Sequence, residues 1–248
     1  MNELVHLDIN DQVAVVTLDS EPNRNALSRR LVAELSAHLA TADADPDVRA
    51  ILLRSAGTVF CSGADLSEAA DGGMVEGAKG LVGVLRQIAA AEKPVVVELA
   101  GPVRAGGLGI VGAADIVFAS ESVTFQLTEV RLGLAPFVIA LTLLPRFSDR
   151  AAADTFLTGR KFGAADAASY GLITRAVADG DLAGAVAETL DNLCKGYPQG
   201  LRETKKLLNR ELLARIDGLG EEFAASSAKL FSSDEAREAM MAFLNRKK

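Results

Sequence analysis

Short apolar runs alternate with helical patterns over the first two-thirds of this chain, and the alternation limits its fold more than any other feature. The runs include "VRAILLRS" at 48–55, "PVVVEL" at 94–99 and "DIVFAS" at 115–120. Continuous apolar runs of this length are typical of strands buried on both faces, as in a parallel sheet covered by helices. The last third of the chain is mostly amphipathic helical pattern. The sequence therefore predicts an α/β core followed by a helical C-terminal region.

Individual elements can be predicted at both ends of the chain. "LVHLDIN" and "VAVVTL" predict an antiparallel hairpin that turns through Asn10 and Asp11. Ser28 can cap a helix that places Leu31 and Leu39 on one face. Further helices are expected near 74–91, from about 136, and near 181–195, 199–215 and 218–247, with a strand in "GLITRAV" at 171–177.

Composition excludes several classes of function. The 33 acidic and 26 basic residues give a net charge of −7, which disfavours binding to nucleic acid. The two cysteines, Cys61 and Cys194, have no spacing typical of a metal site or a disulfide framework. The N-terminus has no signal-peptide pattern, and no run approaches the ~18 apolar residues that span a bilayer. We expect a cytoplasmic protein with no membrane segment, no metal and no separate cofactor.

The segment "GLGIVG" at 107–112 matches the G-x-G-x-x-G pattern of dinucleotide-binding proteins. A dinucleotide fold needs a crossover of at least ~10 residues before the next parallel strand. Here "DIVFAS" begins three residues after Gly112, which argues against a nicotinamide or flavin site. The glycines instead predict a short helix whose first N–H groups face a ligand. A similar turn, "CSGADL", follows the strand at 48–55, and two such N–H groups could form an oxyanion hole.

Five segments then carry a family resemblance, in this order along the chain: "NALS" (25–28), "FCSGADL" (60–66), "GPVRAGGLGIVGAADI" (101–116), "FQLTEVRLGLAP" (125–136) and "DEAREAMMAFLNRKK" (234–248). In their order and spacing they resemble the crotonase family of enoyl-CoA hydratases and isomerases. The resemblance implies a spiral of ββα turns over 1–195, which binds an acyl-CoA. It also implies a helical region over 196–248 that covers the CoA and builds a homotrimer or a hexamer.

The resemblance also implies roles for particular residues. The thioester oxygen would be held by the N–H groups of Ala64 and Gly106, and Glu129 would be the catalytic acid/base. The residues expected along the path of the CoA are Arg24, Ala26, Ser62, Gly63, Asp65, Leu66 and Gly107, with Phe243 and Arg246 reaching the CoA of a neighbouring subunit.

One position departs from the best-known hydratases of the family. They carry a second glutamate three residues after the second oxyanion glycine, where this chain has Gly109. Three functions therefore stay open. The first is hydration of a 2-enoyl-CoA by Glu129 alone, which is also the assigned reaction in a bacterial branch that lacks the second glutamate. The second is isomerisation of a 3-enoyl-CoA to a 2-enoyl-CoA, and the third is binding of acyl-CoA without turnover.

Other polar residues are expected to be structural. Glu98 lies in an apolar strand, and Arg104 is its expected partner. Asp65 is expected to stabilise a turn, Asp115 to start a strand, and Cys61 to pack as an apolar residue. The acyl pocket is expected to be shaped by the helix near 74–91 and by "FVIALTLL" at 137–144.

Overall fold

The structure, a computed structural model, describes residues 3–71 and 74–245. Its strands are β1 Val5–Asn10, β2 Val13–Leu18, β3 Ala50–Ser55, β4 Val95–Leu99, β5 Val103–Arg104, β6 Ile116–Ser120, β7 Thr124–Gln126, β8 Lys161–Gly163 and β9 Arg175–Val177. Its α-helices are α1 Arg29–Ala44, α2 Met74–Ala90, α3 Gly106–Ala113, α4 Phe137–Leu143, α5 Asp149–Thr158, α6 Ala164–Tyr170, α7 Leu182–Cys194, α8 Pro198–Phe231 and α9 Asp234–Asn245.

The strands form two sheets. The larger sheet has the order β1-β2-β3-β4-β6-β9, and all its neighbours are parallel except the β1–β2 hairpin. The smaller sheet has the order β5-β7-β8. In a parallel sheet the carboxyl ends of the strands share one edge, which is where open α/β sheets bind ligands. The loops that follow β2, β3, β4 and β6 therefore leave the sheet on the same side.

Helices cover both faces of the larger sheet, as the continuous apolar runs predict. Val95, Val97 and Leu99 of β4 pack in the main core with residues of α1 and α2. Val96 faces the opposite way and packs with α7. Because each face of β4 is covered, alternation between polar and apolar residues is lost over most of this strand.

The N-terminal hairpin forms as predicted, although its turn lies one residue later than expected. Asp11 and Gln12 have φ angles of 45° and 70°, and β1 continues through Asn10. Positive φ at both central residues is what a type I′ turn requires, and it matches the twist of the two strands. The helix capped by Ser28 is also confirmed, because the Ser28 side chain accepts the Leu31 N–H.

The prediction of separate helices at 199–215 and 218–247 is wrong. Helix α8 runs without interruption through Gly218 to Phe231, and the break comes at Ser232 and Ser233. A Cβ on Gly220 would lie 2.8 Å from Val82 Cγ1, so this glycine lets α8 approach α2 closely. The packing between these helices outweighs the low helix propensity of glycine. The strand expected at 171–177 is limited to Arg175–Val177.

A buried polar cluster fixes α8 to the core. Lys205 is 4% exposed, and its Nζ donates to the carbonyls of Ile88 and Lys93 and lies 2.8 Å from Asp115 Oδ2. Asn209 Nδ2 donates to Asp115 Oδ1 and to the Ala89 carbonyl. Asp115 also accepts the Val95 N–H. Asp115, in the segment before β6, therefore connects β4 with α8. This structural role is larger than the predicted start of a strand.

Among the described residues, no helix is both long enough and apolar enough to cross a membrane.

We predict that Lys205→Met lowers the free energy of unfolding by about 3–5 kcal/mol. The substitution removes the ammonium group and leaves the buried Asp115 carboxylate without its cation. Urea denaturation measures this loss. Lys206→Met is the matched control, since Lys206 is exposed and, among the described residues, pairs with Glu203 alone. It should cost less than about 1 kcal/mol. Equal losses in the two variants would contradict a stabilising role for the cluster.

Candidate functional site

A cavity of about 1180 Å³ opens at the carboxyl edge of the larger sheet. It is lined by residues from the loops that follow β2, β3, β4 and β7, by parts of α2 and α4, and by the C-terminal parts of α8 and α9. Segments far apart in the sequence meet there because their strands are parallel neighbours. This position agrees with the general placement of ligand sites in α/β folds.

Backbone hydrogen bonds join these loops side by side. The Leu27 N–H donates to the Gly63 carbonyl at 2.8 Å, and the Arg104 N–H donates to the Cys61 carbonyl at 2.9 Å. The Ala105 N–H donates to the Gln126 carbonyl at 3.0 Å. The loops are therefore held to each other as firmly as strands of a sheet, and the wall of the cavity is preorganised.

Ala64 and Gly106 present their N–H groups in this wall. Gly106 is the first residue of α3, where the N–H groups have no partner inside the helix. Within 3–71 and 74–245, neither the Ala64 N–H nor the Gly106 N–H has a protein acceptor. A Cβ on Gly106 would lie 4.0 Å from the Ala64 nitrogen, so the two backbones are close. Two neighbouring backbone N–H groups beside the cavity are thus left without a protein acceptor among the described residues.

The backbone next to these donors is strained. Ala105 has φ 45° and ψ −120°, a region that L-residues rarely adopt. Gly63 has φ 98°, and a Cβ on it would lie 2.9 Å from Ala105 Cβ. Glycine at 63 is thus required both by its backbone conformation and by the contact with Ala105.

Glu129 begins a short 3-10 turn after β7 and lines the cavity. Its Oε2 is buried and has no hydrogen-bond partner among the described residues. Burial raises the pKa of this carboxyl to about 7, and the backbone N–H groups of Glu129 and Thr128 oppose the shift only in part. A carboxyl with this pKa exists in both protonation states at neutral pH, so it can accept and donate a proton.

Gly109 lies behind the cavity wall and does not line the cavity. A Cβ on Gly109 would lie 2.7 Å from Ile139 Cγ2 and 3.4 Å from Leu85 Cδ1. Thr142, which is fully buried, donates its hydroxyl to the Gly109 carbonyl and fixes α3 against α4. The space that a second glutamate would need is therefore filled by Ile139.

The structure brings most of the predicted site residues to one cavity. Those that line it are Arg24, Ala26, Ser62, Gly63, Ala64, Asp65, Leu66, Gly106 and Glu129. Gly107 does not line the cavity, because it packs against Cys61. A Cβ on Gly107 would lie 2.7 Å from Cys61 Cβ. The side chain of Phe243 and the whole of Arg246 lie outside the described residues.

Both segments predicted to shape the acyl pocket contribute residues to the cavity. Met74, Gly77, Ala78 and Leu81 of α2 line the cavity, as do Phe137, Val138 and Ile139 of α4. The lining on this side is apolar.

The predicted ion pair between Glu98 and Arg104 is wrong. Among the described residues Arg104 has no carboxylate partner; its guanidinium donates to the carbonyls of Val103 and Thr124 and to Thr124 Oγ1. Glu98 and Arg104 are both only half-buried, so the Glu98 carboxylate is in contact with water and does not need a cation as its partner. The smaller sheet places Thr124 beside Arg104 through the β5–β7 pairing, which the sequence does not reveal.

Two other structural predictions are confirmed. Asp65 Oδ1 accepts the backbone N–H and the hydroxyl of Ser67, as expected of a turn residue. Cys61 is fully buried, and burial raises the pKa of its thiol to about 12, so it is not a nucleophile. In the described ranges, no three His, Cys, Asp or Glu side chains lie together as a metal site.

Sequence reasoning missed several residues of the cavity. Gln126 and Lys161 line it as direct partners on β7 and β8, and Ser227 and Phe231 reach it from the end of α8. The "FQLTE" motif indicated only its glutamate. The partner strand and the helix end are set by long-range packing, for which the sequence carries no local signal.

We predict that Gly63→Ala lowers activity by at least about tenfold and destabilises the fold by about 1–3 kcal/mol, because it adds a Cβ at φ 98° against Ala105. Thermal unfolding and turnover measure the two effects. The control is Gly184→Ala in α7, where no atom lies near the added Cβ. It should stabilise the protein by about 0.5–1 kcal/mol. Unchanged activity in Gly63→Ala would show that the contact with Ala105 does not position Ala64 and Gly106.

We also predict a pH-dependent stability that depends on Glu129. Between pH 4.5, its ordinary pKa, and about 7, the folded protein holds a proton that the unfolded chain has lost. The free energy of unfolding therefore falls as the pH rises through this window, by about 3 kcal/mol in total. Wild type and Glu129→Gln should be compared by urea unfolding at pH 5 and pH 8. The stability of the Gln variant relative to wild type should increase at pH 8, and a constant difference would refute the raised pKa.

Comparisons with known proteins agree with this geometry. The family model "Enoyl-CoA hydratase/isomerase" matches residues 8–248. A solved structure of an enoyl-CoA hydratase from Mycobacterium avium is 44% identical, with a TM-score of 0.92 and coverage of 99% of this chain and 98% of that one. A short-chain-enoyl-CoA hydratase from Clostridium acetobutylicum is 29% identical over 249 residues, which are 98% of this chain and 95% of the relative. A protein from Thermus thermophilus, provisionally named enoyl-CoA hydratase, is 30% identical over 246 residues, 95% of each chain.

The α/β fold with its C-terminal helices is thus the crotonase fold, and the chain belongs to the enoyl-CoA hydratase/isomerase family.

Proposed function

We propose that the protein hydrates a 2-enoyl-CoA to a 3-hydroxyacyl-CoA, with Glu129 as its single acid/base. The observation that carries the proposal is the buried carboxyl of Glu129, whose pKa is near 7 and whose Oε2 has no partner among the described residues. It lines the same cavity as the unpaired N–H groups of Ala64 and Gly106. The hydratase names of the relatives support this choice.

The reaction begins with polarisation of the thioester. Its carbonyl oxygen accepts hydrogen bonds from the Ala64 and Gly106 N–H groups, and withdrawal of electrons makes the β-carbon electrophilic. As negative charge moves onto the oxygen in the enolate, these bonds strengthen. Removing one side-chain donor from the oxyanion hole of an acyl-transfer enzyme costs about 2.7–4 kcal/mol of transition-state stabilisation.

One carboxyl is sufficient for the proton balance. The Glu129 carboxylate accepts a proton from water while the water oxygen bonds to the β-carbon. The resulting carboxylic acid then donates that proton to the α-carbon, and the enolate returns to a thioester. The water is divided into a hydroxyl on one carbon and a hydrogen on the other, and Glu129 ends ionised as it began. A pKa near the working pH suits both steps.

The CoA portion is proposed to follow the loops after β2 and β3. Arg24 and Ala26 would lie near the phosphates, and Ser62, Gly63, Asp65 and Leu66 would line the path of the adenine and pantetheine, because all six residues border the cavity.

The expected homotrimer or hexamer and the cytoplasmic location remain predictions. Leu207 and Leu208 of α8 are 70% and 73% exposed, which supports contact with a second copy of the chain. Contact of Phe243 and Arg246 with a neighbour's CoA stays a prediction as well.

Isomerisation of a 3-enoyl-CoA is the second candidate, and the packing at Gly109 favours it. Ile139 fills the place of a second acid, so no side chain there can hold water. In an isomerase, Glu129 would remove a proton from the α-carbon and return it to the γ-carbon, and no water would be needed. Binding without turnover is disfavoured, because a pure binding protein gains nothing from a buried carboxyl that lowers its stability at neutral pH.

We predict that Glu129→Gln lowers kcat for a short 2-enoyl-CoA by about 10²–10⁴, the usual contribution of a general acid/base. Wild-type kcat/KM should change with an apparent pKa near 7, and the variant should lack this inflection. Glu121→Gln is the control, because Glu121 is exposed and outside the cavity. Both 2-enoyl and 3-enoyl substrates should be assayed. Binding of CoA esters without turnover of either would reject the proposal, and turnover of the 3-enoyl substrate alone would establish the isomerase instead.

A further inference from the structure

We propose that the substrate carries a carboxylate on its acyl chain, and that this carboxylate is bound by Arg104, Gln126 and Lys161. These three residues, called here the basic row, lie side by side across the smaller sheet. The inference rests on the proposed function, because it assigns a substrate class to the same cavity.

The pairing of strands places the basic row on one face. Arg104 is the direct partner of Gln126 in the parallel β5–β7 pair, and Gln126 is the direct partner of Lys161 in the antiparallel β7–β8 pair. Direct partners project their side chains to the same side of a sheet. The sequence neighbours of the three residues project to the other side of the sheet and pack in the core. They are Val103 before Arg104, Phe125 before Gln126 and Phe162 after Lys161. All three members of the basic row line the cavity.

The basic row offers donors and positive charge without a protein anion. Within the described residues, neither Arg104 nor Lys161 has a carboxylate partner. Arg104 uses its Nη atoms on carbonyl and hydroxyl oxygens, which leaves its Nε–H free. Gln126 donates one amide hydrogen to the Gly159 carbonyl, and its other amide hydrogen remains available as a donor. Partial burial lowers the pKa of Arg104, as expected for a cation with no counter-ion. Arg131 lies beside Gly159 and adds a third unpaired cation to the same wall.

Acidic residues elsewhere in the cavity already have partners. Asp65 binds Ser67, and Glu68 pairs with Arg29. Among the described residues, Glu129 forms no ion pair with Arg104 or Lys161, and its Oε2 has no hydrogen-bond partner. The charge on this wall is therefore left for a ligand.

The position of the basic row selects the acyl end of the ligand. Arg104 is two residues before Gly106, Gln126 is three before Glu129, and the Gln126 carbonyl accepts the Ala105 N–H. The row thus flanks the two groups that would surround the thioester. The CoA phosphates are separated from the thioester by the pantetheine arm and are proposed to lie at Arg24, on the loop after β2. An anion at the basic row therefore belongs to the acyl chain, and a planar carboxylate suits the fork of an arginine.

Binding measurements with unreactive thioesters test the proposal without depending on turnover. Succinyl-, glutaryl- and adipyl-CoA should be compared by calorimetry with neutral CoA esters in which an isopropyl group replaces each terminal carboxylate. We expect wild type to prefer the carboxylate by at least about tenfold for one or more lengths. Lys161→Glu should abolish or reverse the preference, and Arg104→Lys, which keeps the charge but loses the fork, should reduce it. Lys195→Glu, on an exposed residue outside the cavity, is the control that should leave it unchanged.

Three results would overturn the proposal: equal or weaker binding of the carboxylate at all three lengths, a preference that Lys161→Glu leaves intact, or a preference that Lys195→Glu removes equally. The competing explanation is that Lys161 contacts a second copy of the chain. Sedimentation of Lys161→Glu tests it, because a lower mass together with an unchanged preference for the carboxylate would show such a contact. Failure of the proposed reaction would be recognised separately, since wild type would keep the binding preference while converting neither enoyl substrate.

Discussion

The contact between Gly63 and Ala105 is the constraint on which the site depends. Parallel strands deliver the loops after β3 and β4 to one edge of the sheet, where the backbones of Ala64 and Gly106 lie close together. Only a residue without a Cβ allows the first loop to lie against Ala105, and only an unusual backbone conformation at Ala105 turns Gly106 into the start of α3. The hydrogen bonds from Leu27, Arg104 and Ala105 then hold this close approach in place.

Such an arrangement reduces stability locally, and the rest of the fold compensates. A strained residue costs of order 1–3 kcal/mol, and a buried carboxyl without a partner adds a further cost at neutral pH. The sheet beneath the site is covered on both faces, and the Asp115 cluster fixes α8 across the core. The strain at Ala105 and the open edge of the cavity therefore lie on a well-packed scaffold.

Much of the fold could be predicted from the sequence, because buried strands and amphipathic helices leave periodic patterns. The hairpin, the helix capped by Ser28 and α2 follow from local signals. The error at Gly218 has a physical cause, since tertiary packing of Gly220 on Val82 overrides a local preference against helix. The partner of Arg104 could not be predicted for a similar reason. Thr124 is brought to it by strand pairing, whereas Glu98 is nearer in sequence and carries the opposite charge.

The roles of Gly106 and Glu129 stay predictions, but sequence motifs were sufficient to place both residues at the cavity. They were insufficient for Gln126 and Lys161, whose place in the cavity depends on the register between β7 and β8. The same distinction applies to Gly109. Its identity indicates a missing acid, but only the structure gives the consequence, which is that Ile139 occupies the space next to Gly109.

Two walls of the cavity therefore have opposite characters. The side formed by α2 and α4 is apolar and closed at Ile139, whereas the side formed by β5, β7 and β8 carries Gln126, Thr128, Glu129 and the unpaired cations. If water reacts with a bound enoyl group, it must be held from the second wall, with Glu129 both orienting it and taking its proton. A polar acyl substituent would approach the same wall. Under the proposed hydration, the absence of an acid at position 109 would place water, proton and any acyl charge on one face of the substrate, and a single carboxyl would serve the whole reaction.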